Sequence, residues 1–195
     1  QRKRENIWCT ILKVIKFKKN YKNHVVKIRD IDIKKGVTYI VGENGSGKST
    51  LLKALGGVIS FEGTLDDSYS FSYYSEECSF PGDVSVVDFL HNMWVLEESS
   101  ISNEKLFEYV YVLSLEDKLD SKIKTLSKGM KAKLGFLITI LIDRDYYLLD
   151  EPFSGMDEKS KNDVKKMIYQ SKKNYIITTH ILHNFSSTDQ VIYFD

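Results

Sequence analysis

The sequence predicts an α/β fold with a mostly parallel core sheet, an N-terminal antiparallel β portion and a helical subdomain inserted into the chain. Three observations carry this expectation. The N-terminal part is rich in β-branched and aromatic residues broken by turn signals. Residues 86–119 switch to helical spacing. From Tyr146 onward, short apolar runs alternate with helix-forming stretches, the βαβ order of a parallel sheet.

The elements follow in order. Residues 7–17 set β-branched and aromatic side chains against Lys13 and Lys16 and read as a strand with one wet face, its lysines solvated. Residues 25–28 and 31–33 read as a second strand, broken at Arg29 and Asp30, which turns at Lys34-Lys35-Gly36 into a third strand over 38–41. Residues 49–55 form helix and stop at Gly56-Gly57. Short strands over 63–65 and 70–74 flank an Asp-Asp-Ser turn. Val86, Val87, Leu90 and Trp94, then Leu106, Tyr109, Val110 and Leu113 after a candidate Asn103 cap, mark helices. Ser127 is placed to cap a helix running to about Asp143. Strand 146–149, a helix from Glu158 to about Lys172, strand 175–178, a helical stretch near Leu182 and strand 191–194 complete the alternation. There is no internal repeat and no low-complexity linker.

A chain of 195 residues suits one domain, or one domain with a subdomain, and buries a core without staples. Its 28 basic and 27 acidic residues nearly cancel, so the total points neither to nucleic acid nor to an acidic polymer, and a mixed surface is expected. Cys9 and Cys78 lie far apart without metal spacing, and no H-E-x-x-H pair occurs. A reduced, cytosolic protein without structural zinc is expected. The longest apolar stretch, 136–142, falls short of the ~18 residues of a membrane span. No apolar region follows Arg2, Lys3 and Arg4, so no secretory peptide is expected, and the missing initiator Met suggests a trimmed start.

Gly42-Glu43-Asn44-Gly45-Ser46-Gly47-Lys48-Ser49-Thr50 fully matches G-x-x-x-x-G-K-[ST], between a β-rich run and a helix-forming run. The glycines let backbone N–H groups turn inward around a phosphate, and the helix opening at Lys48 adds its positive dipole end. Lys48 then supplies a point charge to the β- and γ-phosphates, Ser49 a ligand for Mg²⁺, and Thr50 a further hydroxyl. This is the signature of nucleoside triphosphate binding.

Tyr146-Tyr147-Leu148-Leu149-Asp150-Glu151 is an apolar strand ending in two carboxylates. Beside a phosphate loop, such an Asp holds Mg²⁺ and the following Glu polarises the attacking water; the plainer alternative is a turn or helix cap. Ser127, within Leu126-Ser127-Lys128-Gly129-Met130, is either an N-cap alone or part of an anion site for a γ-phosphate. His180, after Ile176-Ile177-Thr178-Thr179, is either structural or catalytic.

Together these segments resemble the ATP-binding cassette (ABC) family over residues 21–195. Residues 42–50 resemble its Walker A, 126–130 its signature, 146–150 its Walker B and Ser154-Gly155-Met156-Asp157 its D-loop. The resemblance implies a P-loop NTPase fold, one ABC ATPase domain over 1–195 with a helical subdomain at about 80–143, and ATP with Mg²⁺ as ligands. It makes Glu151 the catalytic glutamate and His180 the switch histidine. Ser49 and Asp150 become metal ligands, and Ser127, Gly129 and Asp157 nucleotide-contacting residues. It also implies an aromatic stacked on adenine, with Tyr21 the nearest candidate and Phe17 the second. Two departures stand out. Glu76 occupies the place of the Q-loop glutamine, where a carboxylate still ligates Mg²⁺ but donates no hydrogen bond while ionised; its neighbours Ser75 and Glu77 are the alternatives. Lys128 replaces the first signature glycine, and with Met130 it resembles bacterial exporters of drugs, peptides or antibiotics.

By resemblance, then, the chain is the ATP-hydrolysing subunit of a transporter. Two copies, or this chain and a second ABC ATPase, are expected to close head to tail on ATP. A separate membrane permease, docked around residues 75–94 including the exposed Phe80 and Pro81, would hold it at the inner face of the membrane, with no nucleic acid involved. The competing readings are a soluble ABC ATPase acting on a non-transport partner, and a degenerate cassette that binds ATP without hydrolysis.

Overall fold

The computed structural model describes residues 11–66, 68–75, 79–180 and 185–194. β1 (Ile11–Asn20) buries Leu12, Val14 and Phe17 and exposes Lys13 and Lys16. The expected start of this strand at residue 7 lies outside the described residues. Lys16 takes a φ of 54°, and this extra residue lets Phe17, not Lys16, follow Val14 into the core. β2 (Val25–Ile28) and β3 (Ile31–Lys34) both pair antiparallel with β1, Ile28 opposite Phe17 and Ile31 opposite Val14. They are two halves of one partner strand, as the sequence suggests. The break falls where β1 bulges, and there the Lys16 N–H donates to Asp30 Oδ1 at 2.7 Å.

β5 (Glu62–Leu65) covers the other edge of β1, and the register shifts between Ile15 and Lys18. The two short strands expected around the Asp-Asp-Ser turn therefore part company: β6 (Phe71–Ser75) joins the second sheet. Asp66 accepts from both the N–H and the hydroxyl of Ser68 and so fixes this crossing point.

The second sheet has the order β6-β7-β8-β4-β9, with β4 (Val37–Gly42), β7 (Tyr146–Asp150), β8 (Asn174–Thr179) and β9 (Gln190–Phe194). Every pairing in it is parallel. Both faces are covered, which is why its central strands read as unbroken apolar runs. Tyr39, Val41, Tyr147, Leu149, Tyr175 and Ile177 join one core with the helices α2 (Val86–Leu96), α4 (Lys128–Leu141) and α5 (Glu158–Ser171). Ile40, Tyr146, Leu148 and Ile176 join a second core with α1 (Lys48–Leu55) and the antiparallel sheet. The parallel register, with Val41 beside Thr179 and Asp150 beside Thr178, brings the ends of β4, β7 and β8 out together beside the start of α1.

Two details differ from the sequence reading. α3 (Asn103–Val112) is capped by Ser102, whose hydroxyl accepts from the Lys105 N–H at 3.3 Å, so Asn103 is the first helical residue. Phe80 is half-buried, edge-on to Phe89 and against the main core, while Pro81 is exposed. The helical stretch near Leu182 lies outside the described residues. Among the described residues no helix is long and apolar enough to cross a membrane.

Candidate functional site

Between the end of β4 and the start of α1 the chain turns sharply, with Gly45 at φ 90° and Gly47 at φ 97°. Gly47 is required twice over: its backbone is left-handed, and a Cβ there would come within 2.7 Å of Val26 Cγ1 on β2. Glu43, Asn44 and Gly45 line the loop on the exposed side, whereas Lys48 is only 5% exposed. The Lys48 ammonium donates to the carbonyls of Gly42 and Glu43, both at 2.8 Å. A buried cation is thus fixed inside a loop that also opens a helix, the combination that favours a phosphate.

β7 delivers Asp150 to the opposite side of this loop. Its Oδ1 accepts from Ser49 Oγ at 3.0 Å and from Thr178 Oγ1 at 2.6 Å, and Tyr73 O–H donates to Oδ2 at 3.5 Å. Asp150 and Ser49 bring hard oxygen donors together, and that donor chemistry suits Mg²⁺. Glu151 sits at φ 49°, an uncommon conformation for a residue with a side chain, and its N–H donates to Thr178 Oγ1 at 3.0 Å. Thr178 therefore clamps both acids at once. Glu151 Oε2 lies 3.2 Å from His180 Nδ1, with His180 exposed at the end of β8. Glu76, Glu77, Cys78 and Cys9 lie outside the described residues.

α4 begins at the Ser127 cap, where Oγ accepts from the Met130 N–H at 3.2 Å. Among the described residues Ser127 makes no bond to the phosphate loop or to the Asp150–Glu151 corner. Gly129 approaches the turn after β7 so closely that a Cβ would meet the Gly155 carbonyl at 2.8 Å. Lys133, one α4 turn further on and 9% exposed, lies 4.0 Å from Asp157 Oδ2. Asp157 caps α5 and accepts from the N–H and hydroxyl of Ser160 at 2.9 and 2.8 Å, bonds that hold its carboxyl below the usual carboxylate range. The start of α4 and the start of α5 are thereby locked to each other.

Tyr21 stands in the turn after β1 and reaches the phosphate-loop helix: its hydroxyl is 3.3 Å from Thr50 Oγ1. Its ring stacks on His24 at 4.8 Å and 13°. Phe17, the second aromatic candidate, is 2% exposed and stacked on Phe61 at 4.9 Å, so it is a core residue and is withdrawn. The sequence reading missed Thr178, His24 and Lys133. Thr178 left a trace, a polar residue within a buried apolar run; His24 and Lys133 did not.

Comparison with known proteins agrees with this geometry. The ABC transporter family model matches residues 27–154. An uncharacterized ABC transporter ATP-binding protein of Methanocaldococcus jannaschii is 32% identical over 151 residues, which is 73% of this chain and 57% of that protein. The chain thus spans little more than half the length of that curated relative. Among solved structures, a protein described as an ABC transporter ATP-binding protein from Pyrococcus furiosus has the same fold, with a TM-score of 0.78 at 24% identity, covering 94% of this chain and 97% of its own. An archaeal ribosome recycling factor, solved in complex with a ribosomal stalk protein, aligns over 91% of this chain and 35% of its own, with a TM-score of 0.76 and 26% identity. With the family model covering the phosphate loop, the signature helix and the acid-tipped strand together, this chain belongs to the ABC transporter ATP-binding family.

Proposed function

We propose that the chain hydrolyses ATP as one ABC ATPase domain, its helical subdomain lying at about 80–143, and drives a membrane permease. The observation that carries this is the bond network Ser49–Asp150–Thr178–Glu151–His180, set beside Lys48 at the ends of three parallel strands. In this reading the loop 42–50 and Lys48 hold the β- and γ-phosphates, Tyr21 takes the adenine, and Ser49, Asp150 and Glu76 face Mg²⁺. A bound Mg²⁺ would neutralise charge on the phosphates. Glu151 accepts the proton of the attacking water and His180 holds Glu151 in place.

The active form is two copies, or this chain with a related ATPase, facing head to tail. Ser127 supports this arrangement, since among the described residues its hydroxyl serves only the α4 cap, which leaves its O–H to meet the ATP of the other copy. The lock between α4 and α5 would then move the signature and the 154–157 turn as a unit. Gly129→Ala tests that lock: the added methyl has no room against the Gly155 carbonyl. ATP affinity of the isolated chain is expected to stay the same while turnover falls by about tenfold or more. Unchanged turnover would dissociate Gly129 from catalysis.

The permease is expected to dock around 75–94, and the Lys128 and Met130 signature favours export. The second reading, a soluble ATPase working on ribosomes, draws on the likeness to the recycling factor. The family description and the name of the M. jannaschii relative favour transport. Affinity purification of the chain from detergent-solubilised cells separates the two: a membrane permease is the expected partner, and ribosomal proteins in its place would contradict the transport reading.

A further inference from the structure

The near-zero net charge conceals a strong segregation. Residues 11–35 hold nine Lys and Arg against two Asp, while residues 36–195 hold 16 basic and 24 acidic residues. The cationic block is the antiparallel sheet itself. Lys13, Lys16, Lys22, Lys27, Lys34 and Lys35 are all exposed. Among the described residues, no carboxylate lies within ion-pair distance of the ammonium groups of Lys13, Lys16, Lys22, Lys27 or Lys34. Lys27 even stands directly opposite Lys18 across β1 and β2, a like-charge pairing relieved only because Lys18 reaches Glu62 at 3.0 Å. A sheet that faced water alone would gain from evenly interspersed signs; in this one residues 11–35 set only Asp32, opposite Lys13, and Asp30, at the bulge, against nine cations, at a cost in repulsion.

We propose that this face of the antiparallel sheet binds an anionic lipid surface. The residue types decide the class of partner. The charge is carried by Lys, a mobile point charge, and the one Arg, Arg29, donates to the Tyr193 carbonyl at 3.3 Å. Phe17 is the sole aromatic residue within β1, β2 and β3 and it is buried, so none of these strands offers a ring to a nucleic-acid base, and the rings of Tyr21 and His24 in the turn after β1 are stacked on each other. Between the lysines stand Ile11 and Ile15, both half-buried, and Val25, 50% exposed, aliphatic groups that suit the headgroup boundary. This site is separate from the nucleotide site and does not rest on ATP hydrolysis.

The test uses the full chain and vesicles of phosphatidylcholine with or without about one third phosphatidylserine, at an ionic strength of about 0.15 M. Sedimentation with the anionic vesicles alone is expected. Lys13→Gln, Lys16→Gln and Lys34→Gln combined should weaken vesicle binding on the order of a hundredfold, since each lysine near such a surface contributes about fivefold. ATP turnover of that variant should match wild type. Neutralising three exposed lysines of α5 and its C-cap instead, Lys159→Gln, Lys166→Gln and Lys172→Gln, should leave vesicle binding as it was, and so should Lys48→Ala. Equal vesicle binding by wild type and the sheet variant, or an equal loss in the α5 variant, would overturn the proposal. Binding to a homopolymeric RNA without binding to anionic vesicles would overturn it too.

Discussion

Glu151→Gln is expected to bind ATP as wild type does and to lose turnover by about 10²- to 10⁴-fold, the usual contribution of a positioned general base. The substitution keeps the shape and the polar contacts of the side chain. The Glu151 N–H still reaches Thr178 Oγ1, so the strained backbone at φ 49° and the Asp150 carboxylate stay in place. What disappears is the anion that accepts a proton from water, and the amide cannot replace it. With Lys48, Ser49 and Asp150 intact, the variant should accumulate as an ATP-bound dimer. Phosphate release and size-exclusion chromatography with ATP check both halves. Wild-type hydrolysis together with a monomeric elution would remove Glu151 from the role of base.

Lys48→Ala is expected to weaken ATP binding on the order of a hundredfold, because it removes the buried cation of the phosphate loop, which its two hydrogen bonds to the Gly42 and Glu43 carbonyls hold in place. The fold should survive. Lys48 is the first residue of α1, Ala is the better helix former, and the pairing of Gly42 with Phe194 across β4 and β9 does not involve the Lys48 side chain. Titration with a fluorescent ATP analogue measures the loss, and the circular dichroism spectrum guards against unfolding. Affinity equal to wild type would refute the assignment of residues 42–50 to phosphate.

Local chemistry was legible in the sequence, and parity was not. The phosphate loop could be read because its requirements, glycines at fixed positions with Lys and Ser after them, are met within nine consecutive residues. The broken strand 25–34 was legible too, since alternation resumes after Arg29 and Asp30, with the buried positions shifted from Val26 and Ile28 to Ile31 and Ile33. The choice between Tyr21 and Phe17 turned on which way a strand residue points. A bulge at Lys16 reverses that direction, and its cause, the Asp30 carboxylate on the Lys16 N–H, joins two positions 14 residues apart. Ser102 and Asn103 are equally good caps on paper, and the choice follows from where Lys105 places its N–H. Thr178 escaped notice because its function exists only once β8 lies beside β7, with Asp150 opposite it. Charge was read as a total, and the total cancels what the antiparallel sheet segregates.

The central claim is that each ATP is held between the phosphate loop of one copy and the signature serine of the other. Ser127→Arg should leave nucleotide binding by the isolated chain unchanged and lower turnover strongly, while Lys48→Ala should bind poorly and turn over little. The decisive measurement is phosphate release after mixing these two inactive proteins, with mixed dimers verified by differently tagged copies. A mixed dimer holds one intact site, made from the phosphate loop of the Ser127→Arg chain and the signature of the Lys48→Ala chain. Activity well above that of either protein alone is the predicted result; mixed dimers that form and yet release no more phosphate than their parents would contradict the shared site.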